Sequence, residues 1–372
     1  MRILFFVSSM NTGGAERVAA SLANAWVQRG DEVCLVTTHL GSESSFYELA
    51  QEVRFAPLAH SMPWFPPFLT PLRKLRAIRK VHQEFAPDVV VSFLTNVNVN
   101  VLMALRGVAT PLIVCERTNP MVSQSADKRL QSLRTKLYPR ATRVVLQTQE
   151  AAQAFSAAEP NLGELAVVPN PIPAVLEALP LNQVVEKAEG CKLVAMGRLV
   201  PAKQFDHLIQ AFGFLAEKHL DWTLHIYGEG PELAYLQKRA ELVGCKDRVF
   251  FPGRTETPWE VLSEAQLFAL TSAYEGFPNV LLEAMTLGVA CVSYDCPSGP
   301  REMSDNGRDA SLVALNNEKD LVAALDELMS EPLLRGVLGQ RAAASVRERY
   351  GMEAVLSQWD QVFRQAGLVN FK

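Results

Sequence analysis

The chain has 372 residues, 48% of them hydrophobic and 20% charged, with a formal net charge of −4. That length exceeds one ordinary core and suits two or three domains; the composition is globular, which excludes disordered and fibrous classes, and no global charge points to nucleic acid. The balance is uneven: residues 1–170 carry 17 Lys/Arg and 13 Asp/Glu (+4), and the remainder carries 19 and 27 (−8). A basic excess confined to the first half suits phosphate or an anionic membrane surface.

The N-terminus, MRILFFVSS, has too short an apolar run for a signal peptide and lacks a small-residue cleavage site. No run of about 18 apolar residues exists, so no membrane-spanning helix is expected. ILFFVSS (3–9) reads as a buried strand, followed by Asn11-Thr12-Gly13-Gly14 and a helix over 15–30 with Val18, Leu22, Ala25 and Trp26 at helical spacing. EVCLVTT (32–38), DVVVSF (88–93), PLIVCE (111–116) and RVVLQT (143–148) continue as strands with helical stretches between them. Residues 169–190 hold four prolines without a clean period and read as a linker. The alternation then restarts with strands at 191–197, 222–228, 248–253, 267–272, 289–294 and 310–314, and the last 50 or so residues read as helix.

Continuous apolar strands alternating with helices predict parallel sheets covered on both faces. The expected architecture is α/β: two doubly wound Rossmann-like domains facing a cleft, with functional residues on loops just after strands. The six cysteines, at 34, 115, 191, 245, 291 and 296, lie mostly in apolar strand contexts with no zinc spacing, and read as reduced buried thiols of a cytoplasmic protein.

The strand-end loops carry the chemistry. Gly13 and Gly14 open the first helix, where glycines let amides approach an anion or simply form a tight turn; the third glycine of a dinucleotide fingerprint is missing. Arg198 and Lys203 lie five apart on a loop entering a helix, either as a diphosphate site or as two solvated cations. Gly228-Glu229-Gly230-Pro231 reads as a structural turn, with Pro231 at the first helical position. In YEGFPNVLLEA (274–284), Glu275 falls in a loop and Pro278 at the start of a helix that Gly288 stops. Glu283 lies within that helix among aliphatic residues. A carboxylate there is costly unless hydrogen-bonded, and a vicinal diol such as ribose supplies two matching donors. Pro297–Glu302 forms another small-residue loop after a strand.

Taken in order and spacing, Gly13-Gly14-Ala15-Glu16, Gly197-Arg198 to Lys203, Glu275-x7-Glu283 and Ser298-Gly299-Pro300-Arg301-Glu302 resemble the retaining glycosyltransferases of family 4, which have the B-type (GT-B) glycosyltransferase fold. The likeness is greatest toward transferases that build bacterial polysaccharides or lipid-linked glycans. It implies an acceptor-binding domain at 1–170, a nucleotide-sugar-binding domain at 171–350 and a C-terminal helix at 351–372 packing back on the first domain. It further implies that Arg198 and Lys203 hold the donor diphosphate and stabilise its departure. Glu283 would bind the ribose, and Glu275 would contact the transferred sugar or the reacting face. Gly13 and Gly14 would approach the phosphate or the acceptor, with Arg254 and Thr255 near the nucleobase. Gly276, Phe277, Asn279 and Gly299 would complete the donor site. Many relatives have a histidine after the strand corresponding to PLIVC; here Glu116, Arg117 and Asn119 stand there, and Arg117 would bring a positive charge toward the sugar or the acceptor phosphate.

The expected activity is a retaining, metal-independent transfer of a hexose or N-acetylhexosamine from a nucleotide-sugar, such as a UDP-sugar, to a glycan or polyprenyl-diphosphate-linked acceptor. No Asp-x-Asp is present to hold Mg²⁺, so neither a metal nor another cofactor is expected. Trp64, Phe65, Phe68 and Leu69 beside Arg73, Lys74, Arg76, Arg79 and Lys80 suit a peripheral contact with the cytoplasmic face of an anionic membrane. Lys128, Arg129, Arg134, Lys136, Arg140 and Arg143 form a second basic stretch; a solvated basic helix face is the alternative. A nucleotide-sugar epimerase on the same fold, or a non-catalytic binding member, would share these motifs.

Overall fold

A computed structural model describes residues 1–39, 44–61, 70–119, 121, 127–181 and 190–368. The chain divides into two compact units, Met1–Pro171 with Met352–Lys372, and Ile172–Gly351.

In the first unit the strands are β1 (Arg2–Val7), β2 (Glu32–Thr37), β3 (Arg54–Phe55), β4 (Val89–Phe93), β5 (Leu112–Cys115), β6 (Arg143–Leu146) and β7 (Leu165–Val167). They form one sheet in the order β3-β2-β1-β4-β5-β6-β7, every pair parallel. The helices are α1 (Gly14–Gln28), α2 (Thr70–Phe85), α3 (Thr95–Ala104), α4 (Lys128–Leu137) and α5 (Gln149–Ala158). The second unit contains α6 (Ala174–Ala178), β8 (Cys191–Met196), α7 (Phe205–Leu215), β9 (Trp222–Tyr227), α8 (Leu233–Leu242), β10 (Val249–Gly253) and α9 (Pro258–Ser263). It continues through β11 (Leu267–Leu270), α10 (Asn279–Thr286), β12 (Ala290–Asp295), α11 (Pro300–Met303), β13 (Ser311–Ala314), α12 (Glu318–Ser330) and α13 (Pro332–Tyr350). Its sheet runs β10-β9-β8-β11-β12-β13, again parallel throughout. The last helix, α14 (Met352–Gln365), belongs to the first unit.

Burial explains the strand sequences. Every residue of β4 is enclosed, so its apolar run is continuous rather than alternating. On α1 the residues Val18, Leu22 and Trp26 face the core at helical spacing, and Trp26 meets Phe5 edge-to-face at 5.6 Å. Trp359 of α14 packs on the same indole at 5.6 Å, which ties the chain's last helix to its first. All six cysteines are buried and none forms a disulfide; burial pushes the Cys115 thiol up to about 12.

Parts of the segment expected as a linker are packed. Leu176 of α6 is fully buried, and Arg347 donates to the carbonyls of Glu177 and Leu179. Residues 182–189 lie outside the described residues. Pro231 is also not the first helical residue, since α8 begins two positions later at Leu233. Among the described residues no helix is long and apolar enough to cross a membrane.

Candidate functional site

Both sheets reverse their winding direction at one place, between β1 and β4 in the first and between β8 and β11 in the second. Crevices at such points, outside the carboxyl ends of the strands, are where α/β sheets hold ligands.

In the second unit the loop after β8 carries Gly197, Arg198 and a short 3₁₀ turn, Pro201–Lys203, before α7. Thr271 Oγ1 donates to the Lys203 carbonyl at 3.0 Å and the Ala273 amide to the Ala202 carbonyl at 2.8 Å, which laces this loop to the one after β11. The lysine side chain returns across Gly197, where an added Cβ would stand 3.3 Å from its Cε. Lys203 Nζ reaches Glu275 Oε1 at 2.6 Å, and Ser272 Oγ donates to the same oxygen at 2.6 Å. The Glu275 amide donates to the Pro297 carbonyl at 3.0 Å, joining the loop after β12. Three strand-end loops thus converge on one carboxylate–ammonium pair. Arg198 is exposed, and its guanidinium makes no ion pair among the described residues.

The loop after β9 braces this arrangement. The Leu199 amide donates to the Glu229 carbonyl at 2.9 Å and the Glu232 amide to the Leu199 carbonyl at 3.1 Å. Gly228 has φ +141°, and a Cβ there would fall 1.8 Å from the Gly197 carbonyl oxygen. Replacing Gly228 with alanine therefore strains the backbone and displaces the loop that presents Arg198 and Lys203. We expect a loss of about 2 kcal/mol or more, a fall in Tm of roughly 5 °C. A melting curve unchanged from wild type would show that the close approach is not required.

Glu283 is 2% exposed on α10, in a run where Leu281, Leu282, Ala284 and Met285 are also buried. Trp259 Nε1 on α9 donates to its Oε2 at 3.1 Å. Pro278 precedes α10 rather than opening it. Gly299, with φ +112°, lies where a Cβ would stand 2.4 Å from Pro278 Cδ, so it lets the loop after β12 close on the start of α10. Phe277 is turned into the core against Tyr350 at 5.9 Å. The Asn279 amide closes on the Phe277 carbonyl at 2.9 Å. Arg254 is exposed, and Thr255 Oγ1 accepts from the Thr257 amide at 3.1 Å.

In the first unit the loop after β1 is held by Tyr47. Its hydroxyl accepts from the Gly13 amide at 3.1 Å and donates to the Gly13 carbonyl at 2.9 Å. The Gly13 amide is thus engaged by Tyr47 rather than directed at an open anion site. Glu16 fills the space of the absent Gly13 side chain and accepts from Ser9 Oγ at 3.0 Å. Gly14 is the first residue of α1.

Two residues expected at the acceptor are enclosed. Glu116 is 2% exposed; Thr95 Oγ1 donates to both of its oxygens at 2.9 and 2.8 Å, and Tyr138 Oη donates to one of them. Its two oxygens are thus engaged by Thr95 and Tyr138. Asn119 Oδ1 accepts from the Met121 amide at 2.9 Å, folding the side chain onto its own loop. Arg117 differs. It is 7% exposed, stacks over the Phe93 ring at 4.1 Å and donates through Nη2 to Asn170 Oδ1, while its Nε has no partner. Burial pushes its pKa down to about 10.

The two basic stretches thin out. Arg134 is buried, paired with Glu159 at 2.5 Å and stacked on Phe155, and Arg143 bonds Glu164 and the Gln365 carbonyl. Arg76, Arg79, Lys80, Lys128, Arg129, Lys136 and Arg140 remain on the surface. Trp64, Phe65, Phe68 and Leu69 lie outside the described residues. Among the described residues no three His, Cys, Asp or Glu are grouped so as to hold a metal ion. Asp309 is fully buried and faces Arg308, Arg349 and Arg341 at 3.0, 3.5 and 3.7 Å.

Sequence reasoning missed Ser272, Trp259 and Tyr47. Ser272 had a signal, a hydroxyl at a strand's carboxyl end three residues before Glu275. Trp259 and Tyr47 had none, because their partners lie 24 and 34 residues away.

Comparison with known proteins places this geometry. Residues 13–171 match the profile of the glycosyl transferase 4-like domain and residues 182–345 that of glycosyl transferases group 1. An exopolysaccharide phosphotransferase of Streptomyces coelicolor is 34% identical over 56% of this chain, a match that spans 22% of that relative's length. An alpha-1,4-N-acetyl-D-galactosaminyltransferase of Campylobacter jejuni, named for an acceptor ending in PP-undecaprenol, is 27% identical over 96% of this chain and 97% of its own. The solved structure of Anabaena HepE with UDP and glucose superposes with a TM-score of 0.80, at 19% identity, over 99% of this chain and 100% of its own.

Proposed function

We propose that this chain, a glycosyltransferase with two parallel-sheet domains of the B-type fold, moves a hexose or N-acetylhexosamine from a UDP-sugar to a polyprenyl-diphosphate-linked glycan, with retention and without a metal. The observation that carries the reading is the Lys203–Glu275 pair at the reversal point of the second sheet, with Arg198 exposed on the same loop. As the bond to the anomeric carbon breaks, negative charge grows on the departing diphosphate. Fixed cations aimed at that charge stabilise the transition state more than the ground state. Lys203 and Arg198 supply them. Glu275 is the positioning and electrostatic acid, held by Ser272, and a phosphate oxygen of the donor takes the acceptor's proton during front-face attack. Glu283 binds the ribose diol. Gly14, Arg254, Thr255, Asn279 and Gly299 border the donor.

On the acceptor side the reading rests on Arg117. A buried guanidinium bonded to an amide oxygen and an aromatic face, with an unpartnered Nε, is suited to an added anion. The acceptor's diphosphate is that anion. The surface cations of α2 and α4 favour an anionic bilayer, where such acceptors reside. The Campylobacter relative's named acceptor and the UDP bound by HepE support the substrate classes.

The test is a thermal-shift screen of nucleotide-sugars followed by turnover with short-chain lipid-diphosphate acceptors. Acceptor-dependent release of UDP that survives a chelator, with an α-linked product, is the expected result. Conversion of UDP-sugar without an acceptor would identify an epimerase instead. Mass-spectrometric trapping of a glycosylated Glu275 would replace front-face attack with double displacement.

A further inference from the structure

We infer that Trp259 is a positioning residue of the donor site, aiming the Glu283 carboxylate at the nucleoside and bordering the nucleoside with its own ring. This rests on the reading of Glu283 as the ribose acid. The indole has a single donor, and it points at Glu283 Oε2 from 3.1 Å. The last torsion of a glutamate is intrinsically broad, as for any sp³–sp² bond. The indole hydrogen bond helps to hold that rotation, and so lowers the cost of ordering it on binding.

The placement supports a ligand role rather than simple packing. Trp26, Trp222 and Trp359 are at most 1% exposed and serve the cores, whereas Trp259 is only partly covered. It lies four residues beyond Thr255, on the short helix that follows the β10 loop. Met196 and Tyr227, the last residues of β8 and β9 and partners in register, are partly covered members of the same cluster rim. A partly covered indole on the helix that follows the β10 loop, one hydrogen bond from a diol-binding acid, suits contact with the planar base of a nucleoside diphosphate.

The experiment uses the full chain and UDP as the probe, with W259F, E283Q and the double variant. W259F keeps an aromatic ring and removes the N–H. UDP should quench tryptophan emission in the wild type. In W259F that response should disappear and UDP affinity should fall roughly tenfold, with a larger effect on donor KM than on kcat. The double variant should bind UDP no more weakly than E283Q alone, because both changes remove one coupled contact. A W259F protein that keeps its UDP response and affinity, with only a lower Tm, overturns the inference and leaves Trp259 a packing residue. If E283Q itself binds UDP normally, the ribose reading of Glu283 fails and this inference fails with it. Weak binding by E283Q beside normal binding by W259F rejects the inference alone.

Discussion

Replacing Glu275 with glutamine is expected to tighten UDP binding while removing most turnover. Lys203 Nζ is 2.6 Å from Glu275 Oε1, and the two side chains are 22% and 12% exposed. An incoming diphosphate has to draw on a charge that the carboxylate already engages, and its own charge is repelled by that carboxylate. Glutamine keeps the shape and the hydrogen bond to Ser272 but removes both effects. The pair is partly screened by solvent, so we expect a gain of about 1 kcal/mol, roughly fivefold in UDP affinity. Turnover moves the other way: losing a preorganised charge beside the reacting centre costs on the order of a hundredfold in kcat. The Lys203→Ala variant gives the reference, losing both UDP affinity and turnover. Titration calorimetry with UDP and initial rates with donor and acceptor read the two effects separately. Unchanged or weaker UDP binding by E275Q would mean that the ion pair does not compete with the diphosphate, and that Lys203 serves the loop rather than the ligand.

The strands were legible because parallel strands enclosed on both faces must be largely apolar, and the stretches 89–91, 112–115 and 289–292 are continuously so. The two that escaped, Arg54–Phe55 and Leu165–Val167, are short edge strands without a fully buried residue, so neither has such a run. Loops at strand ends were legible for the same reason, which brought Arg198, Lys203, Glu275 and Glu283 into view. Their pairing was not. Lys203 meets Glu275 across 72 residues, and only the sheet order places β8 beside β11. Polar residues at strand ends also read alike whether they face solvent or core. Glu116 and Arg117 are adjacent, yet one is absorbed by Thr95 and Tyr138 and the other carries an unpartnered Nε. Arg134 sits in a basic run that reads as a solvated helix face, but Phe155 and Glu159, both on later residues, draw it inward.

Glu116 carries the largest stability effect expected, and its sign depends on which atom is lost. Ser92 Oγ donates to Asn98 Oδ1 at 2.7 Å, Asn98 Nδ2 donates to Tyr138 Oη at 2.9 Å, and Tyr138 donates to Glu116, which also accepts from Thr95. Glu116→Ala leaves the buried Tyr138 and Thr95 hydroxyls without their acceptor and opens a cavity. Together these cost about 3 kcal/mol or more. Glu116→Gln keeps the volume and an acceptor oxygen, so its effect is set by charge. Burial raises the Glu116 pKa; the hydrogen bonds from Tyr138 and Thr95 and the charge of Arg134 oppose it, but burial prevails. The folded pKa is therefore above that of the unfolded chain, about 4.3 for an ordinary glutamate. Between the two values the folded chain binds more protons than the unfolded one, so stability falls as pH rises through that window and levels off above it. Glutamine does not titrate and removes this slope. The Tm of E116Q relative to wild type should accordingly climb as pH is raised from about 4 to about 8, while E116A stays well below wild type at every pH. Thermal melts across that range read both. An E116Q deficit that is constant with pH would mean that Glu116 does not change its protonation differently in the two states, and that the carboxylate is held charged by its donors.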